Sequence, residues 1–301
     1  MIYRLFCLAR WLVVRVPLRL SYSGAVLCAN VAWLFMPEQR TNATANMIQV
    51  MGPNRRERAS RVARRSFANY ARYVVDFIRL PELSAQQLAE RFDFDAWERY
   101  DAALAQGRGC ILVLMHFGNW DLGGPVLAHR GYAINAIAET QEHGRLNDDL
   151  IAARTKHGIK LIPMEKAATG IIRSMRRNET LAILLDRPLD DGGIEVEFFG
   201  APIRVPAGPA RIALRTGARV IAVSQVRLQP WSDRVRAIAD FDIELPNSGD
   251  SEQDARLLTQ RILSAHERVI RRHPDQWYMF RRMWPRRAPT GSEPATAAAR
   301  R

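Results

Sequence analysis

Short, continuous apolar runs bounded by glycine or charge alternate along this chain with longer stretches of helical period. Residues 110–115, Cys-Ile-Leu-Val-Leu-Met, are the clearest run. Branched, short and uninterrupted, they predict a strand buried on both faces, as in a parallel sheet. Similar runs at 132–138, 160–164, 180–185 and 220–226 predict further strands, and 237–243 an edge strand. Between them lie predicted helices at 122–130, 169–177 and 211–216, and one carrying Arg154 that ends near His157-Gly158. A long amphipathic helix at 251–272 turns Leu257, Leu258, Ile262, Ala265 and Val269 inward. This alternation predicts an α/β fold, a mostly parallel central sheet wrapped by helices. Upstream, Phe67, Tyr70, Tyr73, Val74, Phe77 and Ile78 form a helical stripe ending at Pro81, and residues 84–104 read as one polar-faced helical stretch.

The first 36 residues have a different pattern. They are apolar but punctuated by Arg4, Arg15 and Arg19 on one face and Arg10 off it, with Phe6, Leu8, Val13 and Leu20 on the opposite face. Such a helix suits the headgroup region of a membrane. Residues 20–36 carry no charge but sit at the short end of the roughly 17–25 residues that span a bilayer. A buried hairpin covering the core is the bland alternative. No clear cleavage site argues for a signal peptide. The chain thus divides into membrane-associating helices at 1–40, a main domain at 41–285, and a disordered basic tail at 286–301.

Composition narrows the partners. With 44 Lys and Arg against 31 Asp and Glu, the chain has a net charge of +13, which attracts polyanions. No helix-turn-helix, zinc-finger or RNA-binding string accompanies that charge. An anionic membrane surface is therefore the expected partner, and nucleic acid is not. The run from Asn54 to Arg65 places several arginines at helical spacing, either on a solvated face or against anionic lipid. The three cysteines, Cys7, Cys28 and Cys110, show neither pairing nor metal spacing, so neither a disulfide nor a metal site is expected.

The candidate chemistry sits at strand ends. His116 follows the 110–115 run, at the carboxyl edge where open α/β sheets bind ligands. Asp121 lies five residues on. If a helix starts after Gly118, its first turn brings Asp121 back toward His116 to fix one tautomer, freeing the other ring nitrogen as a base. A capping role for the histidine is the simpler alternative. Asp186 and Arg187 close the 180–185 run on the same edge and are expected to line the pocket, with Arg187 able to pair with a phosphate or carboxylate. No Gly-x-Ser-x-Gly elbow is present, which weighs against a serine hydrolase. Ala207 and Gly208 leave a helix start free of bulk, so its N–H groups can meet a phosphate or an oxyanion, and Arg204 and Arg211 flank that loop.

The string His116-Phe117-Gly118-Asn119-Trp120-Asp121 resembles the His-x4-Asp/Glu signature of the lysophospholipid acyltransferase superfamily. It is most similar to the branch of lipid A lauroyl/myristoyl and phosphatidylinositol mannoside acyltransferases. The segment around Phe198-Phe199-Gly200 with Val205 to Pro209, and the closing Pro274-Asp275-Gln276-Trp277, resemble that branch as well. Met115 before the histidine, and the lack of a Pro-Glu-Gly-Thr block, depart from enzymes that acylate simple glycerol phosphates.

The resemblance implies a membrane-associated enzyme on the cytoplasmic face of the inner membrane. It would move an acyl group from acyl-CoA or acyl carrier protein, a co-substrate and not a bound cofactor, to a hydroxyl on a lipid head group. It implies His116 and Asp121 as the catalytic dyad, and Glu139, Arg154, Glu195 (or Glu197) and Gly208 as further site residues. Backbone N–H groups around Phe117 to Asn119, or at Gly208, are expected to hold the oxyanion. The competing reading is a non-enzymatic basic protein that binds anionic lipid or nucleic acid indifferently to His116.

Overall fold

The structure, a computed structural model, describes residues 2–138, 144–163, 167–189 and 191–284. Its centre is a seven-stranded sheet. The strands are β1 (Phe92–Asp93), β2 (Cys110–Leu114), β3 (Ile134–Ala138), β4 (Lys160–Pro163), β5 (Thr180–Leu184), β8 (Arg219–Arg227) and β9 (Val235–Asp240), in the order β1-β9-β8-β2-β5-β3-β4. β8, β2, β5, β3 and β4 are mutually parallel, and β9 returns antiparallel to β8. The predicted fold class is the observed one.

Every residue of β2 is buried, as its unbroken apolar run requires. Its odd positions, Ile111 and Val113, join the main core with α9 (Ala167–Arg176), α10 (Gly208–Thr216) and α11 (Ser251–Arg272). Even positions face a smaller cluster of Tyr100, Leu127, Ile134, Ile159, Ile221 and Phe241. β6 (Ile194–Phe198) and β7 (Ala201–Val205) form a separate hairpin, tied to α11 where Gln260 accepts from the Glu197 amide and Glu267 accepts from that of Phe199.

Residues 84–104 are not one helix. Ser84 caps α5 (Ala85–Arg91), the chain extends through β1, and α6 (Trp97–Leu104) follows. The alternation Phe92-Asp93-Phe94 explains the break, since it puts both rings on one face and lets Phe92 pair with Val235 at the open edge of β9. Ahead of the sheet lie α1 (Ile2–Arg15), α2 (Leu18–Phe35), α3 (Pro37–Met51) and α4 (Arg56–Arg79). The two later crossover helices on the cavity side are α7 (Gly123–His129) and α8 (Gly144–Thr155).

α2 is long and apolar enough to cross a membrane by length and composition. It is docked on α4 through one face only. Tyr22 on that face donates to Asp76 of α4 and accepts from Arg227 of β8, and Arg227 pairs with Asp76. The opposite face exposes Leu20, Leu27, Val31, Leu34 and Phe35, and α1 adds Leu8, Trp11 and Leu12. This apolar surface fits docking on a membrane. The expected tail at 286–301 lies outside the described residues.

Candidate active site

Register builds the centre of the site. Leu114 of β2 pairs with Leu184 of β5, so the residues two further along each strand, His116 and Asp186, emerge opposite one another at the carboxyl edge. His116 Nδ1 donates to Asp186 Oδ1 at 2.8 Å, and the His116 amide donates to Asp186 Oδ2 at 3.0 Å. Trp277 Nε1 supplies a third donor to the same carboxylate at 3.0 Å. Burial alone would neutralise Asp186, which is fully enclosed; the His116 charge and these donors outweigh it and hold its carboxyl below the usual carboxylate range. Burial likewise opposes a charged His116, and the Asp186 charge and hydrogen bond reverse that and raise its pKa above 6.5.

Asp121 was expected to hold the imidazole, and the structure gives that place to Asp186. The predicted helix does not begin after Gly118. Gly118 takes a left-handed conformation (φ +58°), and α7 starts only at Gly123. Asp121 therefore lies in the turn before the helix and accepts from Arg154 Nε at 2.8 Å and from the Tyr73 hydroxyl at 2.6 Å. Trp120 bridges the two groups, stacked on Tyr73 at 3.8 Å and edge-on to His116 at 5.3 Å. Asp121 still reaches the cavity wall. Its charge and hydrogen bond favour the cationic form of Arg154 against burial.

The signature loop is clamped by its own backbone. The amides of Phe117, Gly118 and Asn119 donate to Met115 O (2.7 Å), Gln276 O (2.9 Å) and Gln225 O (3.2 Å). These groups are committed, so the expected oxyanion site at residues 117–119 is not formed. A Cβ on residue 118 would sit 1.7 Å from the Gln225 carbonyl oxygen, which is why the position requires glycine. Gln225 also accepts from the Gly123 amide at 3.1 Å, and Tyr278 donates its amide to His116 O at 2.8 Å.

His116 opens onto a cavity of about 290 Å³ that runs down the even face of the sheet. Leu112, Leu114, Ala136, Ala182, Leu184, Ile221 and Val223 form its floor; Phe92, Phe94, Trp97, Gly123, Gly124 and Leu127 contribute to its roof. Trp120, Asp121, Arg154 and Arg187 lie on its lining with His116. The cavity also explains an anomaly of β5. This strand lies between β2 and β3, yet Ala182 and Leu184 are only partly buried because they face this space.

The remaining expected residues lie elsewhere. Glu139 is outside the described residues. Glu195 and Glu197 are on the exposed face of β6, since Ile194, Val196 and Phe198 take the inward positions, and Glu195 pairs with Arg204 across the hairpin at 3.5 Å. Gly208 opens α10 among the helices on the odd face of the sheet. None of Glu195, Arg204 and Gly208 is on the cavity lining. Trp277 and Gln225 went unnoticed in the sequence as site residues. The aligned offsets of 116 and 186 from their strand starts were the available signal for the His116–Asp186 pair.

The site thus places an imidazole held by a buried carboxylate at a sheet edge, above a long apolar slot and beside two arginines. The model of the bacterial lipid A biosynthesis acyltransferase family matches residues 2–286, and the chain belongs to that family. The match takes in the N-terminal helices as well as the sheet. The chain is 30% identical over 226 residues to the phosphatidylinositol mannoside acyltransferase of Mycobacterium tuberculosis, covering 73% of this chain and 69% of the relative. It is 28% identical over 244 residues to the enzyme of the same name from Mycolicibacterium smegmatis, covering 79% and 77%. The protein is thus an acyltransferase of lipid biosynthesis, and the non-enzymatic reading falls.

Proposed function

We propose that the protein transfers a fatty acyl group from a thioester donor to a hydroxyl on the head group of a membrane glycolipid, with His116 as base and Asp186 as its positioning carboxylate. The single observation behind this is the His116–Asp186 pair at the mouth of the apolar cavity. With Nδ1–H committed to Asp186, Nε2 carries the lone pair. It takes the acceptor's hydroxyl proton as that oxygen bonds to the thioester carbonyl carbon. The carbon–sulfur bond then breaks, and the thiolate leaves with the proton returned from His116. Asp186 stays ionised throughout and stabilises the imidazolium formed in between.

Arg154 and Arg187 present cations beside the reacting atoms. Both CoA and the phosphopantetheine arm of a carrier protein bring phosphate, as does a phospholipid acceptor, and guanidinium groups bind phosphate with directed donors. Asp121 acts by fixing Arg154. The relatives' names make a mannosylated phosphoinositide a reasonable first acceptor to try.

The membrane mode follows from the docked face of α2. Withdrawing α2 to span a bilayer would strip Tyr22 from the buried Asp76–Arg227 pair, and hydrogen bonds to charged groups are worth about 1.5–3 kcal/mol each. α2 therefore lies along the membrane, with Leu20, Leu27, Leu34 and Phe35 in the lipid. The decisive assay is transfer of labelled acyl groups from acyl-CoA to lipid acceptors by purified protein. His116→Ala should abolish it; transfer at the wild-type rate by that variant overturns the proposal.

A further inference from the structure

The far end of the cavity carries information about the donor, on the reading that this cavity holds the acyl chain. That end lies at the amino edge of the sheet. There Tyr100 of α6 lines its wall, with the hydroxyl 2.6 Å from Thr180 Oγ1, the first residue of β5. Both residues are almost wholly buried. Tyr132 packs edge-on against the Tyr100 ring at 4.9 Å, so the ring is held from the side as well. A buried phenol satisfied by a buried hydroxyl is a fixed obstacle, because swinging it aside would leave both groups without a partner.

The distance from base to obstacle follows from register. Thr180 pairs with Cys110, and His116 lies six residues beyond Cys110 on the same strand path. At about 3.3 Å per residue that is about 20 Å of sheet. An extended chain advances about 1.2 Å per single bond, a third of the extended peptide repeat, so the slot takes about 16 carbons. Its mid-depth is set by small side chains. Ala136 and Ala182 pair across β3 and β5, beside Leu112 on β2, so two low residues leave a dip in the floor where larger ones would block it.

We propose that the acyl chain lies along the even face of the sheet and that Tyr100, pinned by Thr180, is the stop that limits the donor to about 16 carbons, while Ala182 keeps the passage to that stop open.

The test is an acyl-chain profile, C8 to C20 acyl-CoA with a fixed lipid acceptor, for wild type, Tyr100→Ala and Ala182→Phe, paired with thermal shifts by the matching free fatty acids. Tyr100→Ala should move the optimum of both profiles longer by about two to four carbons. Ala182→Phe should move it shorter, to about 10 carbons, since residue 182 lies about four strand residues below His116. The opposite shifts keep the test sound if either variant proves unstable. A wild-type profile that still rises from C16 to C20, or profiles unchanged in both variants, overturns the stop. Fatty-acid shifts that follow these expectations while no acyl transfer occurs would instead count against the proposed reaction and leave the stop standing.

Discussion

The two faces of the central sheet are made from the same strands and are finished differently. The odd face is solid: Ile111, Val113, Leu181 and Val220 meet α9, α10 and α11 in one continuous core. The even face is roofed but not filled, and Leu112, Leu114, Ala182 and Leu184 look into the cavity. Alternation along a strand buries both faces, but it does not decide whether a covering element closes down onto the sheet. Here α6 and α7 stand off from the even face, and the space they leave ends at His116. The solid face is packed core, and the hollow one is where the proposed function places the acyl chain.

That contrast can be broken at several points. The largest effect should come at the mouth of the hollow face, where Asp186→Asn removes the charge that poises His116; kcat should fall by about 10²–10⁴-fold with little change in KM, read by steady-state kinetics. Next comes the solid face. Ile111→Ala should cost about 2–5 kcal/mol, measured by denaturant unfolding, and leave the chain-length preference alone. Leu112→Ala, one residue away, should cost less stability, because its side chain already borders empty space, and should alter the acyl-chain preference. Equal losses at 111 and 112 would erase the distinction between the faces. Arg154→Met should raise KM for the phosphate-bearing substrate by about 10–100-fold, as expected for loss of a charge-assisted contact. Glu195→Ala should do least, within about 1 kcal/mol of stability and without measurable effect on transfer, because its partner Arg204 is a half-exposed neighbour on the hairpin.

The regions differ in how far the sequence disclosed them. Buried strands and their order of appearance were legible because β2, β5 and β8 are short apolar runs between breakers, and His116 was legible because it ends one of them. What the sequence concealed was pairing between distant strands. Asp121 is five residues from His116 and Asp186 is 70, yet the register of β2 on β5 brings the distant one to the ring. Local spacing also gave no account of Gly118, whose left-handed turn delays α7 and swings Asp121 toward Tyr73 and Arg154. The split of 84–104 had the same origin: β1 exists because β9 offers it an edge. On β6, alternation was correct, but which side faces the core depended on α11, and that put Glu195 outward.

The central claim is that His116 is the base and Asp186 sets its affinity for protons. The pH dependence of kcat/KM for wild type, Asp186→Asn and Asp121→Asn tests it most directly. A base must be neutral to work, so wild-type activity should rise with pH through a pKa above 6.5, where Asp186 holds it. In Asp186→Asn burial outweighs the remaining Asp121 charge, and the acid limb should move to lower pH while the plateau drops; in Asp121→Asn, whose influence on His116 is the smaller, the limb should stay nearly in place. A limb that follows Asp121 and ignores Asp186 would contradict this assignment.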